Sequence, residues 1–211
     1  MVLSPRLAKL AGHYHHHESI WDIGCDHGKL GLSFLNEKEV KAIHLVDPSL
    51  PVIDKLRFLI DSYITDPLLK IQIHHENGQD VMMSNEKKLV LIAGMGGKEI
   101  ESILESLKKK LTPEDDVVIS PHRDILQLRK WLHHSVFSLG NESLVWDEGR
   151  YYQVISLNLR GNEKVHPFGR EIFGDDRGEE YRIQQLRTFS AHKDVRSLEY
   201  ADYLKTLTQR F

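Results

Sequence analysis

The chain has 211 residues, 40% of them hydrophobic, with 28 Lys+Arg against 31 Asp+Glu for a formal net charge of -3. That length can bury one good core and a small appendage, no run approaches the roughly 18 apolar residues of a membrane span, and the slight acidity means that any nucleic-acid partner must meet a local basic patch. A single cysteine, Cys25, excludes an internal disulfide framework and lacks zinc-site spacing, and without the charged and apolar layout of a secretory signal at the N-terminus a cytoplasmic protein is expected.

Residues 3 to 12 pattern as a short amphipathic helix, with Leu3, Leu7, Leu10 and Ala11 at helical spacing and Ser4-Pro5 as cap and first turn. The run His13 to His17, with Tyr14 inside it, leads into the first strand. No second cluster completes a ligand geometry, so it reads as a solvated connection and no metal site is expected.

Ser19 to Ile23 is a short apolar strand, followed by the glycine-bracketed turn Gly24-Cys25-Asp26-His27-Gly28 and the first turn of a helix over Leu30 to Leu35. Strand, glycine turn and helix in that order make a nucleotide-type site, because the turn's N–H groups and the helix N-terminus face the ligand. A dinucleotide fingerprint puts its second glycine where this chain has Asp26, so that a pyrophosphate can approach the backbone. A carboxylate in a poorly solvated turn repels a pyrophosphate. S-adenosylmethionine has no phosphate and carries a sulfonium cation and an amino group, which acidic residues suit. A methyltransferase is therefore expected rather than a dehydrogenase, with Asp22, Gly24, Cys25, Asp26 and Gly28 on the cofactor.

Val40 to Val46 is the second strand, ending at Asp47-Pro48. An acidic residue there, roughly 20 residues past the turn, is placed to accept both ribose hydroxyls; the alternative is a turn residue before proline. Pro51 to Tyr63 follows as a helix with Val52, Leu56, Leu59, Ile60 and Tyr63 on one side. Leu69 to His75 alternates and forms a third, half-exposed strand near a sheet edge. It ends at Asn77-Gly78-Gln79-Asp80, a loop expected to border the adenine, where Asp80 either accepts from the exocyclic amine or caps a helix turn.

Leu89 to Ala93 is a continuous apolar run, the pattern of a strand covered on both faces. It opens into Gly94-Met95-Gly96-Gly97 and a helix from Lys98 to Lys110. Three glycines at the end of a central strand mark a close approach of ligand and backbone. Ala93 and Gly94 are therefore placed on the cofactor, and Gly94 and Met95 form the wall between cofactor and acceptor base. Val117 to Ser120 is the fifth strand, followed by Pro121-His122-Arg123 and a helix from Asp124 to His134 with Ile125, Leu128, Trp131 and Leu132 inward. Ser143 to Asp147 and Tyr152 to Leu159, separated by Glu148-Gly149-Arg150, read as a terminal antiparallel hairpin.

This layout predicts an α/β, Rossmann-like class I methyltransferase with a seven-stranded, mostly parallel sheet ending in an antiparallel hairpin. Residues 1–160 are expected to form the S-adenosylmethionine-binding domain. Composition turns polar and charged from Gly161. Residues 161–211 then form a small helical C-terminal appendage or a partly ordered tail, with helices near Glu179 to Ser190 and Val195 to Gln209 and anchors at Leu198, Tyr203, Leu204 and Leu207.

These residues carry a resemblance. The chain resembles the bacterial family of tRNA (adenine-22-N1)-methyltransferases in Leu3-Ser4-x-Arg6-Leu7, in Asp22-x-Gly24-x-Asp26-His27 and in Ile92-Ala93-Gly94-Met95-Gly96-Gly97. Pro121-x-x-Asp124-x-x-x-Leu128-Arg129-x-Trp131-Leu132 and Tyr151-Tyr152 also match. The resemblance implies methylation of adenine 22 of tRNA at N1 by S-adenosylmethionine, a bacterial and cytoplasmic setting, no membrane, and a helical C-terminal domain that helps hold tRNA. It leaves the oligomeric state open between monomer and weak dimer. Two positions depart from the family's Asp-His-x-Tyr-x-Pro turn, where this chain has Lys29 and Gly31. They leave room for another RNA base, a small molecule or a silent RNA-binding relative as alternatives.

Neutral adenine N1 carries no proton and needs no general base to attack a methyl group. Catalysis then rests on in-line positioning and on stabilising the cation that develops on the base. Asp26 is the candidate for that charge work, or else it orders the turn, and His27 orients Asp26 or the base. A flipped adenine wants a stacking surface; Met95 or Trp21 is available, Trp21 reading better as core. Arg6, Lys9, Lys29, Arg123 and cations of the C-terminal helices are the candidate phosphate contacts.

Overall fold

The computed structural model describes residues 2–61, 70–167, 169 and 181. Seven strands form one sheet: β1 (Ser19–Ile23), β2 (Ala42–Val46), β3 (Lys70–His74), β4 (Lys88–Ala93), β5 (Asp116–Ser120), β6 (Ser138–Asp147) and β7 (Arg150–Asn158), in the order β3-β2-β1-β4-β5-β7-β6. The first five are parallel, β7 runs antiparallel to β5, and β6 antiparallel to β7. The expected Rossmann-like sheet is therefore present, closing hairpin included.

The apolar runs explain the layering. β1 and β5 are buried throughout, as strands covered on both faces must be. Successive side chains point to opposite faces, so Trp21, Ile23, Val90 and Ile92 pack on one side with helices α3 (Gly97–Leu107) and α4 (Ile125–His134). Ile20, Ile43, Leu89 and Leu91 pack on the other. That side is covered by α1 (Pro5–Ala11), a 3-10 turn (Gly31–Phe34) and α2 (Leu50–Asp61). Register sets the position of the site: Ile23 lies level with Val46 on one side and Ile92 on the other. The segments after β1, β2 and β4 therefore leave the sheet at one edge.

Several elements differ from expectation. The helix expected over Leu30 to Leu35 is a single 3-10 turn, and the Gly31 N–H at its start is held by the Asp22 carboxylate (2.8 Å). The connection 75–87 before β4 has no helix; its carbonyls at Gln79 and Val81 accept from Lys110 Nζ (3.0 and 2.9 Å) beyond α3. In α4 the buried residues are Leu126, Leu128, Arg129 and Leu132, while Ile125 is half-buried and Trp131 only partly covered. Arg129 is tolerated there because Nη1 donates to Glu142 (2.6 Å) and Gln153 (2.9 Å) and Nε to the His166 carbonyl (2.9 Å). β6 begins five residues earlier than its apolar stretch, across a register shift between Leu139 and Asn141.

Past the hairpin, Val165 is fully buried in the α3–α4 core, and Tyr181 is buried against Leu144 and Tyr151 with its hydroxyl accepting from Gln153 Nε2 (2.8 Å). Tyr63, Leu69 and, Tyr181 apart, the two expected C-terminal helices lie outside the described residues. Among the described residues no helix is long and apolar enough to cross a membrane.

Trp21 belongs to the interior. It is 1% exposed and stacks on His44 across β1 and β2 with centroids 3.7 Å apart. His74 joins the stack, 3.0 Å from His44 through ring nitrogens, with Glu86 adding a nearby charge. Burial, and after it His74, hold His44 down to about 4 against an ordinary 6.5. The unfolded chain therefore takes up this proton at a higher pH than the fold does. The resulting stability is present above pH 6.5 and lost as pH falls toward 4. Relative to a His44→Phe variant, which keeps a flat ring on Trp21, wild-type unfolding free energy is expected to fall across that window by about 1.4 kcal/mol per pKa unit of separation. Denaturant midpoints measured at pH 7 and pH 4.5 check this, and a pH-independent difference would contradict it.

Candidate functional site

Four loops meet at the edge where the parallel strands end. The first follows β1. Gly24 leaves the strand at φ 72°, and the N–H groups of Gly24 and Cys25 both donate to the Val46 carbonyl (2.8 and 3.1 Å). The Asp26 N–H donates to Asp47 Oδ2 (3.2 Å), and that of Gly28 to the Cys25 carbonyl (2.7 Å). With the Gly31 N–H on Asp22, five N–H groups of this segment, those of Gly24, Cys25, Asp26, Gly28 and Gly31, are engaged within the protein. Much of the turn expected to face a ligand with its N–H groups is thus closed on itself.

What it offers is negative charge. Asp22 is 3% exposed, and its carboxyl is pushed up to about 7 by burial, against the Gly31 N–H and with the charges of Asp47 and Asp26 adding to the rise. Asp47 is 9% exposed; Oδ2 holds the Asp26 N–H and Oδ1 the Ser49 N–H (2.9 Å). It thus has the turn role, and each oxygen keeps a lone-pair site for a further donor. Pro48 is exposed, its carbonyl 3.1 Å from His75 Nε2. Burial, followed by the Asp22 and Asp47 charges, pushes the Cys25 thiol far up, so it is no nucleophile.

The loop after β3 lies on the end of β1: a Cβ at Gly78 would meet Ile23 Cγ2 at 2.4 Å and Ile103 Cδ1 at 3.1 Å. Asp80 accepts from Asn77 Nδ2 (2.9 Å) while its N–H donates to the Asn77 carbonyl (3.0 Å), so the carboxylate closes its own loop. The loop after β4 begins with half-buried Ala93 and with Gly94 at φ 80°, where a Cβ would meet nothing within 4 Å. That glycine answers to backbone angle and not to crowding. Met95 reaches back to the first loop, its Cε 2.4 Å from the place a Cβ on Gly24 would take. Asp22, Gly24, Asp26, Asp47, Gly78, Gly94 and Met95 therefore share one edge. Asp26 and His27 sit at its rim, 69% and 61% exposed in their side chains, with Asp26 Oδ2 3.7 Å from His27 Nε2.

A second group was not legible as a site. The His122 N–H donates to the Met95 carbonyl (3.0 Å), which ties the loop after β5 to the loop after β4. The His122 Nε2 contacts Arg6 Nη1, and its ring lies 5.4 Å from that of Tyr152. The guanidinium carbons of Arg6 and Arg150 each lie 4.5 Å from the Tyr152 centroid. Ser4 Oγ and the Arg6 N–H donate to Asp147 Oδ2 (2.6 and 3.3 Å), fixing the start of α1 to the hairpin. Burial, then the charges of Arg6, Arg150 and Arg123, hold His122 down to about 4. Arg6 and Arg123 were visible as candidate phosphate contacts, and His122, Arg150 and Tyr152 as parts of a loop, a turn and a matching motif, but the spacing from Arg6 to Arg150 hides that they meet.

The histidine run is structural where it is buried: His17 Nε2 is 3.0 Å from Asp116, and exposed His16 pairs with Glu39. Among the described residues no group of three or more His, Cys, Asp or Glu is arranged to hold a metal ion.

Comparison with known proteins agrees with the fold. A methyltransferase-domain family matches residues 3–155. The tRNA (adenine(22)-N(1))-methyltransferase of Bacillus subtilis is 30% identical over 156 residues, 74% of this chain and 64% of that protein. The chain thus spans less than two thirds of that curated relative's length. The crystal structure of the B. subtilis tRNA methyltransferase TrmK superposes with TM-score 0.76 at 19% identity, covering 99% of this chain and 96% of that one. TrmK of M. capricolum, solved with S-adenosylhomocysteine, gives TM-score 0.75 at 18% identity over 99% and 97% of the two chains.

Proposed function

The chain belongs to the methyltransferase-domain family, and on that premise we propose that it transfers a methyl group from S-adenosylmethionine to N1 of an adenine in tRNA, position 22 being the one named for its Bacillus relative. The observation that carries this reading is the turn after β1. Five of its N–H donors are engaged within the protein, and Asp22, Asp26 and Asp47 gather beside it with buried Asp22 raised by burial and by the other two. A ligand bearing cationic centres relieves that repulsion, which fits S-adenosylmethionine.

When bound, that cofactor supplies a methyl group activated on a sulfonium. Asp47 offers its remaining lone pairs to the ribose hydroxyls, with Pro48 beside it. The segment of Gly78 and Asp80 borders the adenine, and Asp22, Gly24, Cys25, Gly28, Ala93 and Gly94 line the rest. The acceptor N1 is neutral and unprotonated and needs no base to form its new bond to carbon. Methylation leaves a positive charge on the ring. Asp26 stands at the rim, 69% exposed in its side chain, where it can face that charge, with His27 orienting it. Gly94 and Met95 separate the two ligands. Lys29, exposed beside the rim, is free for the acceptor, while Gly31 is fixed by packing, since a Cβ there would meet Leu45 Cδ2 at 2.5 Å. Residues 1–160 serve as the methyltransferase domain and 161–211 help hold tRNA, in a bacterial cytoplasm.

The test is to incubate the protein with labelled S-adenosylmethionine and unmodified total tRNA, digest, and identify the labelled nucleoside by mass spectrometry. The expected product is N1-methyladenosine. A different methylated nucleoside would move the target, and binding of S-adenosylhomocysteine without any turnover would make the chain a silent relative.

A further inference from the structure

The strand-end edge is divided by charge. Its β1–β2 half carries Asp22, Asp26 and Asp47, whereas the half over β5, β7 and β6 carries Arg6, Arg123 and Arg150. The three arginines are not equivalent. Arg123 is held by Glu99 (2.8 Å) and Asp124 (3.6 Å). The guanidinium groups of Arg6 and Arg150 have no carboxylate within 4 Å among the described residues, Asp147 being spent on the Arg6 N–H and Ser4. Their side-chain partners are neutral: His122 for Arg6 and the Tyr152 hydroxyl (2.6 Å) for Arg150. Since both guanidinium carbons lie 4.5 Å from the Tyr152 centroid, they share one ring and stand no more than about 9 Å apart. Like charges within that reach are both favoured by an anion that approaches them. Arg6 Nε is in addition buried without an acceptor among the described residues, which leaves a hydrogen bond to be made at this point.

The chemistry of the neighbours keeps this arrangement cationic. Arg has no acceptor atom, so His122 must receive the Arg6 N–H on an unprotonated Nε2. The three arginines around His122 oppose its protonation. His122 thus acts as a neutral strut that orients Arg6 without cancelling its charge, while the Tyr152 ring, 3% exposed as a residue, supports both guanidiniums. Sign decides what the pair binds. An adenine that becomes a cation on methylation is repelled by guanidinium, so these groups do not stabilise the base. Phosphate matches them in charge and in the forked geometry of the donors.

We propose that Arg6 and Arg150, braced on Tyr152 and His122, form a phosphate clamp that seats the acceptor nucleotide's backbone at the methyl-transfer edge, resting on the reading of the acceptor as RNA. Arg6 and Arg150 are positioning residues that fix the strand so that the base can enter beside Met95. The clamp also sorts the basic residues picked from the sequence. Lys9 lies at the opposite edge of the sheet, lining a cavity of about 400 Å³ with Asp116 and Asn158, and is outside the clamp.

The test measures affinity of the full chain for an unmodified tRNA transcript over a salt series, with steady-state methylation in parallel. Arg150→Gln is the main variant because that side chain is exposed and lies outside the core. Arg6→Gln and Arg6→Lys accompany it. For Arg150→Gln and Arg6→Gln, the slope of log affinity against log salt is expected to fall by about 0.7–0.9 each. KM for tRNA should rise with kcat nearly unchanged, and S-adenosylhomocysteine affinity should stay at the wild-type value. Arg6→Lys should retain the wild-type slope yet show the raised KM, since it keeps charge and loses the fork. Unchanged slope and KM in Arg150→Gln and Arg6→Gln overturn the clamp, as does wild-type protein that binds no tRNA. If the slopes fall but no methylated adenine forms, the clamp stands and the proposed reaction fails. If adenine is methylated with unaltered slopes, the reaction stands and the clamp fails.

Discussion

Asp47→Ala is expected to weaken binding of S-adenosylmethionine and of its demethylated product by on the order of 1–3 kcal/mol, roughly 5- to 150-fold. Two effects add. Ribose hydroxyls lose a charged acceptor, and the N–H groups of Asp26 and Ser49 lose the oxygens that now hold them at 3.2 and 2.9 Å. The second effect loosens the turn after β1, so the loss should exceed that of Asp47→Asn, which keeps one acceptor oxygen. Titration calorimetry with S-adenosylhomocysteine reads both variants. A dissociation constant unchanged in Asp47→Ala would remove the residue from the site.

The fold was legible because period and run length carry it. Leu89 to Ala93 could only be a strand covered on both faces, and it became β4; the half-polar alternation of 70–74 placed β3 at an edge, where it lies. The 3-10 turn was not legible. Neither its shortness nor the hold of Asp22 on the Gly31 N–H at its start leaves a trace in hydrophobic spacing. Arg129 was named in a matching motif, but its burial was not legible, since the partners that permit it, Glu142 and Gln153, are distant in sequence.

The site divides in the same way. Its glycines and acids were visible because each stands at the end of a strand or in the loop that follows, and strand order brings those positions together. The state of their atoms was not. Asp26 appeared to sit in a poorly solvated turn, whereas its side chain is mostly exposed, and the N–H groups of Gly24, Cys25, Asp26 and Gly28 are turned to partners within the protein. Arg150 and Tyr152 joined Arg6 only through the docking of α1 onto the hairpin by Ser4 and Asp147.

Asp26→Asn separates charge from shape. The Asp26 backbone sits at φ 48°, a region that asparagine adopts nearly as readily as aspartate, so the turn should keep its form. The bond that anchors it runs from the Asp26 N–H to Asp47 and does not use the Asp26 side chain. Cofactor affinity is therefore expected to change little. Turnover should fall by at least about tenfold, since each 1.36 kcal/mol of lost transition-state stabilisation is a factor of ten. The exposure of this carboxylate limits the effect in the free protein, because water screens it there. The full loss requires a bound acceptor that excludes that water, so it should appear in single-turnover rates at saturating tRNA. If affinity and rate fall together, Asp26 acts on the cofactor's cationic side. If neither falls, positioning by the four loops carries the reaction and the negative charge at the rim is dispensable.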